Sequence, residues 1–220
     1  MEKSVNTKPN IIGVVGLIGS GKDTIASHLV EKYGYERYSW AMPLKDITST
    51  LFGWDRDMLE GTTPEQRVQR ETKDEWWSEK LGLKNCTPRL MLQLIGTEVM
   101  RNTLHQDIWV LAGMKRIEGK KNVVIPDTRF PNEIKAIREM GGVIWNVQRG
   151  PLPEWYVDFK EWYLQNKNVA GVWPDGYMAS KWPTVHASEY SWVGTEFDAV
   201  FQNNTTIERL MQSIDSVIGD

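Results

Sequence analysis

The sequence predicts an α/β fold of three layers, with helices on both faces of a mainly parallel sheet. Three short apolar runs predict buried strands at Ile11–Gly16, Asn122–Pro126 and Val143–Gln148. Amphipathic helical patterns follow the first two of these strands, at Thr24–Tyr33 and Pro131–Met140. Strands that alternate with helices are typical of βαβ units, whose strands run parallel.

The rest of the chain extends this pattern. Further helices are predicted at Leu44–Phe52, Pro88–Leu104, Asp107–Ile117 and Thr205–Ile218, and further strands at Tyr35–Trp40 and Ala199–Gln202. The highly charged stretch Asp55–Lys84 is predicted to be helix and loop at the surface. There is no internal repeat, so we expect the 220 residues to form one domain.

The charge balance restricts the partners of the protein. A net charge of −3 gives no basic field that would draw the chain to nucleic acid or to an anionic membrane. A composition of 40% hydrophobic and 25% charged residues is ordinary for a soluble globular protein. A small anionic ligand remains compatible with this balance, because it needs only a local basic pocket.

Cysteine and histidine offer little for metal or redox chemistry. Cys86 is the single cysteine, so neither a disulfide nor a cysteine-based zinc site is possible within the chain. The three histidines, His28, His105 and His186, are not at metal-ligand spacing. Met1–Asn10 lacks the apolar segment of a signal peptide, and no apolar run has the length of a membrane span, so we expect a cytoplasmic protein.

A phosphate-binding loop is predicted between the first strand and the first helix. Residues 16–22 read GLIGSGK and match the pattern G-x-x-x-x-G-K. Such glycines let the backbone N–H groups approach a polyphosphate at a helix N-terminus, and Lys22 adds a positive charge. The alternative is a glycine-rich turn with a chance lysine. The predicted nucleotide contacts are Gly16, Ile18, Gly19, Ser20, Gly21, Lys22, Asp23 and Thr24.

Two carboxylates are candidates for holding Mg²⁺. Asp23 stands where a serine or threonine usually contacts the metal, and Thr24 is then the residue that can donate to an inner phosphate. Asp127 follows the second buried strand, where a P-loop enzyme carries the acid that organises its Mg²⁺. The alternative for Asp127 is an N-cap of the helix near Pro131.

Several basic residues are predicted near the same edge of the sheet. Arg129 lies two residues beyond Asp127, and Arg149 ends the third strand. Arg89 opens a predicted helix and shares a face with Gln93, one turn further on. Each arginine alone suits a surface position, but together they suit a substrate that carries its own phosphate, which arginine binds in bidentate fashion.

These motifs and several longer stretches resemble the bacteriophage deoxynucleoside monophosphate kinases. The similar stretches are GSGKDT (19–24), AMPLKD (41–46), TPRLMLQLIGTEVMR (87–101), DIWV (107–110), VIPDTRFPNEIKAIREMGG (124–142), HASE (186–189) and FDAVFQNNTTIERL (197–210). The resemblance implies a P-loop kinase with a core (11–43, 102–150 and 193–220), a helical NMP-binding part (about 44–101) and a lid or insertion (about 151–192). It also implies ATP and Mg²⁺ as cofactors, and the host cytoplasm as the location if the protein is phage-encoded.

The resemblance also implies roles for individual residues. Arg89 and Arg129 would grip the 5′-phosphate of the acceptor, Gln93 could read its base, and Lys45 and Glu189 are further candidates at the acceptor. The loop Asn203-Asn204-Thr205 would border the adenine of ATP. The residues expected to act in catalysis are Lys22, Arg129, Arg149 and Asp127. A capped turn is the alternative for His186 and Glu189.

The segment Pro151–Trp192 departs most from the family. It contains Trp155, Trp162, Trp173, Trp182, Trp192 and four tyrosines, and we interpret it as an insertion with its own aromatic cluster. It is a lid, a contact in a homodimer, both of these, or an insertion that packs only on itself.

We therefore expect transfer of the γ-phosphoryl group of Mg·ATP to a deoxynucleoside monophosphate. No general base is needed, because the second pKa of a phosphomonoester is about 6 and its oxygen is largely ionised at pH 7. Three alternatives remain: a P-loop kinase for a dephospho-CoA-like or hydroxyl acceptor, a P-loop NTPase switch, and, against the charge balance, a nucleic-acid module.

Overall fold

The protein forms two compact units. The computed structural model describes residues 8–168 and 174–219, so the predicted cluster member Trp173 lies outside the described residues. The first unit comprises the chain up to Ser39 and from Ile117 onward, and the second comprises Trp40–Arg116. The predicted NMP-binding part falls within the second unit, and the predicted insertion within the first.

The first unit contains a parallel sheet of five strands. The strands are β1 (Ile11–Val15), β2 (Glu36–Arg37), β3 (Val123–Ile125), β4 (Val143–Gln148) and β5 (Ala199–Gln202). Their order is β2-β3-β1-β4-β5, and every adjacent pair is parallel. The predicted α/β fold with a parallel sheet is therefore confirmed, although β2 has only two residues where a strand over Tyr35–Trp40 is expected.

Eleven α-helices lie along the described residues. They are α1 (Lys22–Tyr33), α2 (Met42–Phe52), α3 (Pro64–Glu71), α4 (Glu75–Leu81), α5 (Pro88–Gln93), α6 (Ile108–Ile117), α7 (Pro131–Glu139), α8 (Glu154–Asn166), α9 (Pro174–Lys181), α10 (Ala187–Tyr190) and α11 (Ile207–Ile218). Among these described helices, none combines the length and apolar character needed to cross a bilayer.

Helices cover both faces of the sheet in the first unit. Ile12 and Val14 of β1 belong to a fully buried core cluster with Leu29 of α1 and Ile214 of α11. The alternate residue Gly13 faces α7, because a Cβ added there would lie 2.5 Å from Ile137 Cδ1. The strand thus alternates between two helical layers, which is the three-layer arrangement that the sequence predicts.

The described elements of the second unit are helices, and side chains cap the N-termini of three of them. Thr63, Asp74 and Thr87 each accept a hydrogen bond from a backbone N–H in the first turn of the helix that follows. The predicted helix Pro88–Leu104 changes winding midway: α5 continues as a π-helix over Leu94–Leu104. In this segment Gly96 O accepts a 2.9 Å hydrogen bond from the buried indole of Trp109.

The predicted aromatic cluster of the insertion is present in the first unit. The Phe159 ring of α8 lies 5.3 Å from the Tyr190 ring of α10, and the Trp162 ring lies 4.3 Å from that of Tyr177 in α9. Asp158 accepts hydrogen bonds from Tyr177, Lys181 and Trp182. The aromatic residues of the insertion therefore pack against one another in a small core of their own.

Candidate active site

Parallel strands bring the predicted donor-site residues to one edge of the sheet. The carboxyl end of β1 leads into the loop Gly16–Gly21, that of β3 to Asp127, that of β4 to Arg149 and that of β5 to Asn203. In open α/β sheets, ligands bind at this edge, where the order of the strands reverses direction. β1 is the central strand of the sheet, so its loop lies at that point.

The glycines of the loop are required by its backbone. Gly16 has φ 152°, and a Cβ there would lie 2.4 Å from Val147 O and 2.7 Å from Ser20 Oγ. Gly19 and Gly21 have φ of 75° and 111°, a region that side chains disfavour. The backbone therefore favours glycine at all three positions, and at Gly16 a side chain would also clash, as the sequence pattern predicts.

The N-terminus of α1 offers donors to an anion. Its N-cap residue is Gly21, which has no side chain to accept from the first-turn N–H groups. Unpaired N–H groups and the helix dipole together favour a negative charge at this end. α1 begins at Lys22 and not at the predicted Thr24, which brings the lysine into the first turn.

Lys22 folds back over the loop. Its Nζ donates to Gly16 O at 2.7 Å and to Leu17 O at 2.9 Å. Burial and the nearby Arg129 guanidinium lower the pKa of the Lys22 ammonium, while Glu189 and Asp23 act in the opposite direction. A polyphosphate would relieve the repulsion between the two cations, because both would then have an anionic partner.

A cavity of about 270 Å³ lies beside this loop in the first unit. Its lining consists of Gly19, Gly21, Lys22, Asp23, Thr24, Arg149, Asn203, Thr205 and Ile207. All of these except Ile207 are residues that the sequence singles out for the nucleotide or for catalysis. Six further residues that the sequence singles out for these roles are outside the lining: Gly16, Ile18, Ser20, Asp127, Arg129 and Asn204.

The two asparagines after β5 make different contacts. The Asn203 amide nitrogen donates to Ser20 O at 2.9 Å, so this side chain supports the phosphate loop. Asn204 Oδ1 accepts from the Gly150 N–H at 2.6 Å and so joins the ends of β4 and β5. The sequence suggests a single role for both residues at adenine, whereas the contacts within the protein separate them.

Glu189 connects the phosphate loop with Arg129. Its carboxylate accepts from the Ile18 N–H at 3.3 Å and from Arg129 at 3.4 Å. Ser188 Oγ accepts from the same arginine at 3.2 Å. α10 thus brings a carboxylate to donors that a phosphate would also use.

The two candidate metal ligands have different partners. Asp127 accepts from Ser39 Oγ at 2.7 Å, while the largely exposed Asp23 pairs with Arg37 of β2. Within the described chain, no group of three or more His, Cys, Asp or Glu side chains converges on one point. This is compatible with Mg²⁺, which protein sites commonly bind through one or two carboxylates plus substrate phosphates.

The second unit contains a separate cavity of about 440 Å³. Arg89 and Gln93 of α5 both line it, together with Glu71, Leu83, Lys84, Asn85, Thr87 and Leu90. Arg89 is paired with Glu71 at 3.1 Å. The cavity thus combines a guanidinium for a phosphate with amides that can form hydrogen bonds to a base.

Lys45 is not part of this cavity. Its ammonium is mostly buried and lies 2.5 Å from Glu60 Oε2, and Glu60 also accepts from Arg56. This ion-pair network extends through Arg56 to Asp46. The predicted role of Lys45 at the acceptor therefore has no support from the lining of the cavity.

Sequence reasoning missed several residues at these sites. Glu71 and Lys84 lie in the charged stretch that we assign only to the surface, Asn85, Arg37 and Ser39 belong to no motif, and Ser188 was not singled out. Their roles depend on contacts between distant parts of the chain. The one available signal was Ser188 in the family-like stretch HASE.

The strand, glycine loop, helix and lysine that folds back over the loop are typical of P-loop proteins, which bind the phosphates of nucleotides. A family model described as deoxynucleotide monophosphate kinase matches residues 60–154. A putative deoxynucleotide monophosphate kinase of Acanthamoeba polyphaga mimivirus is 35% identical, over 63% of this chain and 74% of the relative. The chain belongs to the deoxynucleotide monophosphate kinase family.

The chain is also similar to a phage enzyme and to a bacterial kinase of known structure. The deoxynucleoside-5′-monophosphate kinase of Escherichia phage T5 is 26% identical, over 59% of this chain and 72% of the relative. Among solved structures, a gluconokinase from Sinorhizobium meliloti 1021 is 13% identical with a TM-score of 0.41, and the match covers 96% of this chain and 93% of that one.

Proposed function

We propose that the enzyme transfers the γ-phosphoryl group of Mg·ATP to a deoxynucleoside 5′-monophosphate, giving ADP and the diphosphate. The observation that carries this proposal is the cavity at the uncapped N-terminus of α1, which Lys22 and Arg149 both line. It supplies backbone donors, a helix dipole and two cations to a polyphosphate. The Arg89–Gln93 cavity of the second unit suits a nucleotide with one phosphate.

The donor is held by the loop of the first unit. N–H groups of residues 18–24 and the Lys22 ammonium would bind the β- and γ-phosphates, and Thr24 would donate to an inner phosphate. Thr205 and Ile207 line the same cavity and provide a surface for the nucleoside. Lys22 would exchange its bonds to the carbonyl oxygens of Gly16 and Leu17 for bonds to phosphate.

The chemistry needs little from the protein beyond alignment and neutralisation of charge. An oxygen of the acceptor 5′-phosphate attacks the γ-phosphorus, and a new P–O bond forms while the bond from the γ-phosphorus to the β–γ bridging oxygen breaks. ADP leaves with the electron pair of that bond. Arg129 and Arg149 would bind the charge that spreads over the transferring group.

Asp127 and Asp23 are the residues that would hold Mg²⁺. The ion, when bound, neutralises charge on the β- and γ-phosphate oxygens. Ser39 orients the Asp127 carboxylate through its hydroxyl, and Arg37 holds Asp23. Two carboxylates of this kind would suffice, because Mg²⁺ is commonly bound through one or two carboxylates plus substrate phosphates.

The acceptor would bind in the second unit. Arg89 would bind the 5′-phosphate and release Glu71 in exchange, while Gln93 would read the base. Lys84 is a second cation in this cavity. The phage and mimivirus sources of the relatives favour a role in viral deoxynucleotide supply in the host cytoplasm, and a homodimer remains a prediction.

Measuring ADP formation against a panel of acceptors tests the proposal. The panel contains ribo- and deoxynucleoside monophosphates, dephospho-coenzyme A and a sample without acceptor, each with and without Mg²⁺. We expect ADP to form with deoxynucleoside monophosphates and to match the diphosphate produced. ADP formation that matches inorganic phosphate without an acceptor would instead identify an NTPase. ADP formation with dephospho-coenzyme A alone would identify a different kinase.

A further inference from the structure

The side chain of Asn203 contacts the phosphate loop directly. Its amide nitrogen donates to Ser20 O at 2.9 Å. A Cβ added to Gly21 would lie 2.5 Å from the same nitrogen, so the amide packs closely against the Ser20–Gly21 peptide. This contact joins residues that are 183 positions apart.

The backbone of Asn203 is itself fixed. Its N–H donates to Gln148 O at 2.7 Å, which continues the pairing of β4 with β5 beyond the last strand residue. The sheet therefore sets the position of Asn203 independently of the loop. A side chain anchored in this way can orient a neighbouring peptide.

Orienting the Ser20 carbonyl also orients the Gly21 N–H. The peptide bond is planar and trans, so its C=O and N–H groups point in opposite directions. Because Asn203 holds Ser20 O on its own side, the Gly21 N–H is directed to the other side of that peptide. Gly21 has no Cβ, so steric clashes restrict the rotation of this peptide less than they would beside a residue with a side chain.

We propose that Asn203 is a positioning residue for the triphosphate, acting through the Ser20–Gly21 peptide, and not a reader of adenine. This inference rests on the proposed binding of ATP at the loop. It assigns Asn203 to the anion half of the nucleotide, although the residue also lines the cavity beside Thr205. Its loss should weaken every ligand with a polyphosphate, whatever its base.

Calorimetric binding of three probes tests the proposal: ATP, inorganic tripolyphosphate and adenosine. Asn203→Leu removes the donor at similar size and without adding charge. Because one neutral hydrogen bond contributes about 0.5–1.5 kcal/mol, the Kd values of ATP and of tripolyphosphate should both rise by the same factor, about 2- to 10-fold. The Kd of adenosine should not change.

Two further variants keep the test interpretable. Asn203→Asp is of equal size, cannot donate to Ser20 O as a carboxylate, and should weaken both anions at least as strongly as Asn203→Leu. Asn102→Asp adds the same charge at an exposed position of the second unit and should change none of the three Kd values. Circular dichroism and thermal unfolding establish that each variant is folded.

Two outcomes would overturn the inference. The first is a Kd that rises for ATP and adenosine but not for tripolyphosphate, which would make Asn203 a base reader. The second is unchanged binding of all three probes in both Asn203 variants. Because the readout is binding, an enzyme that binds ATP but transfers nothing would refute the proposed function and leave the ratio of Kd values measurable.

Discussion

Both units hold an arginine against a carboxylate at the place where a phosphate is proposed to bind, but the two pairs differ in their surroundings. In the first unit, Arg129 and Glu189 are 3.4 Å apart, with side chains 41% and 24% exposed. In the second unit, Arg89 and Glu71 are 3.1 Å apart and 55% and 57% exposed. Glu189 also accepts from the Ile18 N–H of the phosphate loop, which ties it to the donor site.

This difference indicates how strongly each carboxylate competes with a phosphate. A carboxylate and a phosphate accept charge-assisted hydrogen bonds from the same kinds of donor. A phosphate that binds at either arginine must therefore displace the glutamate from it. Exposed ion pairs contribute little free energy, so a phosphate should displace Glu71 from Arg89 at little cost. Glu189 is better shielded from solvent and accepts from a loop N–H, so its competition should weaken the binding of ATP.

The largest effect is expected for Lys22→Ala, which should impair the donor site and leave the acceptor site intact. Lys22→Ala removes a cation that would bind the developing charge on the transferring phosphoryl group. Losses of one such group typically cost about 10²- to 10³-fold in kcat, and we expect a loss of at least that size. Binding of the acceptor alone, measured by calorimetry, should stay within 2-fold of the unmodified enzyme, a tolerance of about 0.4 kcal/mol.

A matched lysine provides the control for that experiment. Lys135→Ala removes an exposed lysine of α7 that is paired only loosely with Glu139, and kcat should be unchanged. Normal turnover in Lys22→Ala would refute the assignment of the loop.

The next effect compares the two arginines. Hydrogen bonds to charged groups contribute about 1.5–3 kcal/mol, so Arg129→Ala and Arg89→Ala should each raise the KM of the acceptor about 10- to 100-fold. Arg129→Ala should raise the KM of ATP less than that of the acceptor, and Arg89→Ala should leave the KM of ATP unchanged. Steady-state kinetics with each substrate varied in turn measures both. An Arg129→Ala enzyme affected only in its KM for ATP would assign this arginine to the donor alone.

Removing each carboxylate charge should have a smaller and opposite effect. Glu189→Gln should tighten ATP binding about 2- to 5-fold, which is the range of a partly exposed ion pair. Glu71→Gln should leave ATP unchanged and tighten only the acceptor, by less. Calorimetry with Glu196→Gln as an exposed charge-matched control decides this comparison. Weaker ATP binding in Glu189→Gln would show that the glutamate assists binding and does not compete with it.

The smallest effect on turnover is expected for a carboxylate that joins two helices. Asp215 of α11 accepts from His28 at 2.7 Å, Tyr33 at 2.7 Å and Lys32 at 2.9 Å, all on α1. Burial alone would raise the pKa of Asp215, but the bonds from Lys32, Tyr33 and His28 outweigh burial and lower it well below its usual value. Asp215→Asn should therefore lower stability without changing the Kd of ATP.

The pH dependence of this loss has a defined sign. A carboxylate with a lowered pKa in the folded state stabilises the fold above its unfolded pKa, about 3.9, and loses that contribution as the pH falls through the folded value. Thermal unfolding should thus show Asp215→Asn destabilised by about 1.5–3 kcal/mol at pH 7. The difference should shrink below pH of about 4. A difference that grows toward acid would contradict the assignment.

The phosphate loop was predictable because its sequence pattern is local. Residues 16–24 contain both the positive-φ glycines and the lysine within one short segment. The parallel sheet was likewise predictable from the apolar runs of β1, β3 and β4. The short β2 was overestimated, because a pattern cannot show where pairing with β3 ends.

The remaining site contacts depend on tertiary structure. The contact of Glu189 with Ile18 spans 171 positions, and that of Asn203 with Ser20 spans 183. No spacing rule links such residues, so sequence patterns place them near ligands without showing what they hold. The π-winding after Gln93 is equally invisible in the helical period of its side chains.

Tracing the phosphoryl group from ATP labelled with ³²P at its γ position tests the central claim most directly. The enzyme is incubated with this ATP, Mg²⁺ and an equimolar mixture of the four common deoxynucleoside monophosphates. We expect the label to appear as the β-phosphate of deoxynucleoside diphosphates, and Lys22→Ala to reduce the rate by the factor given above. Label found in inorganic phosphate, at a rate independent of the monophosphates, would contradict the account.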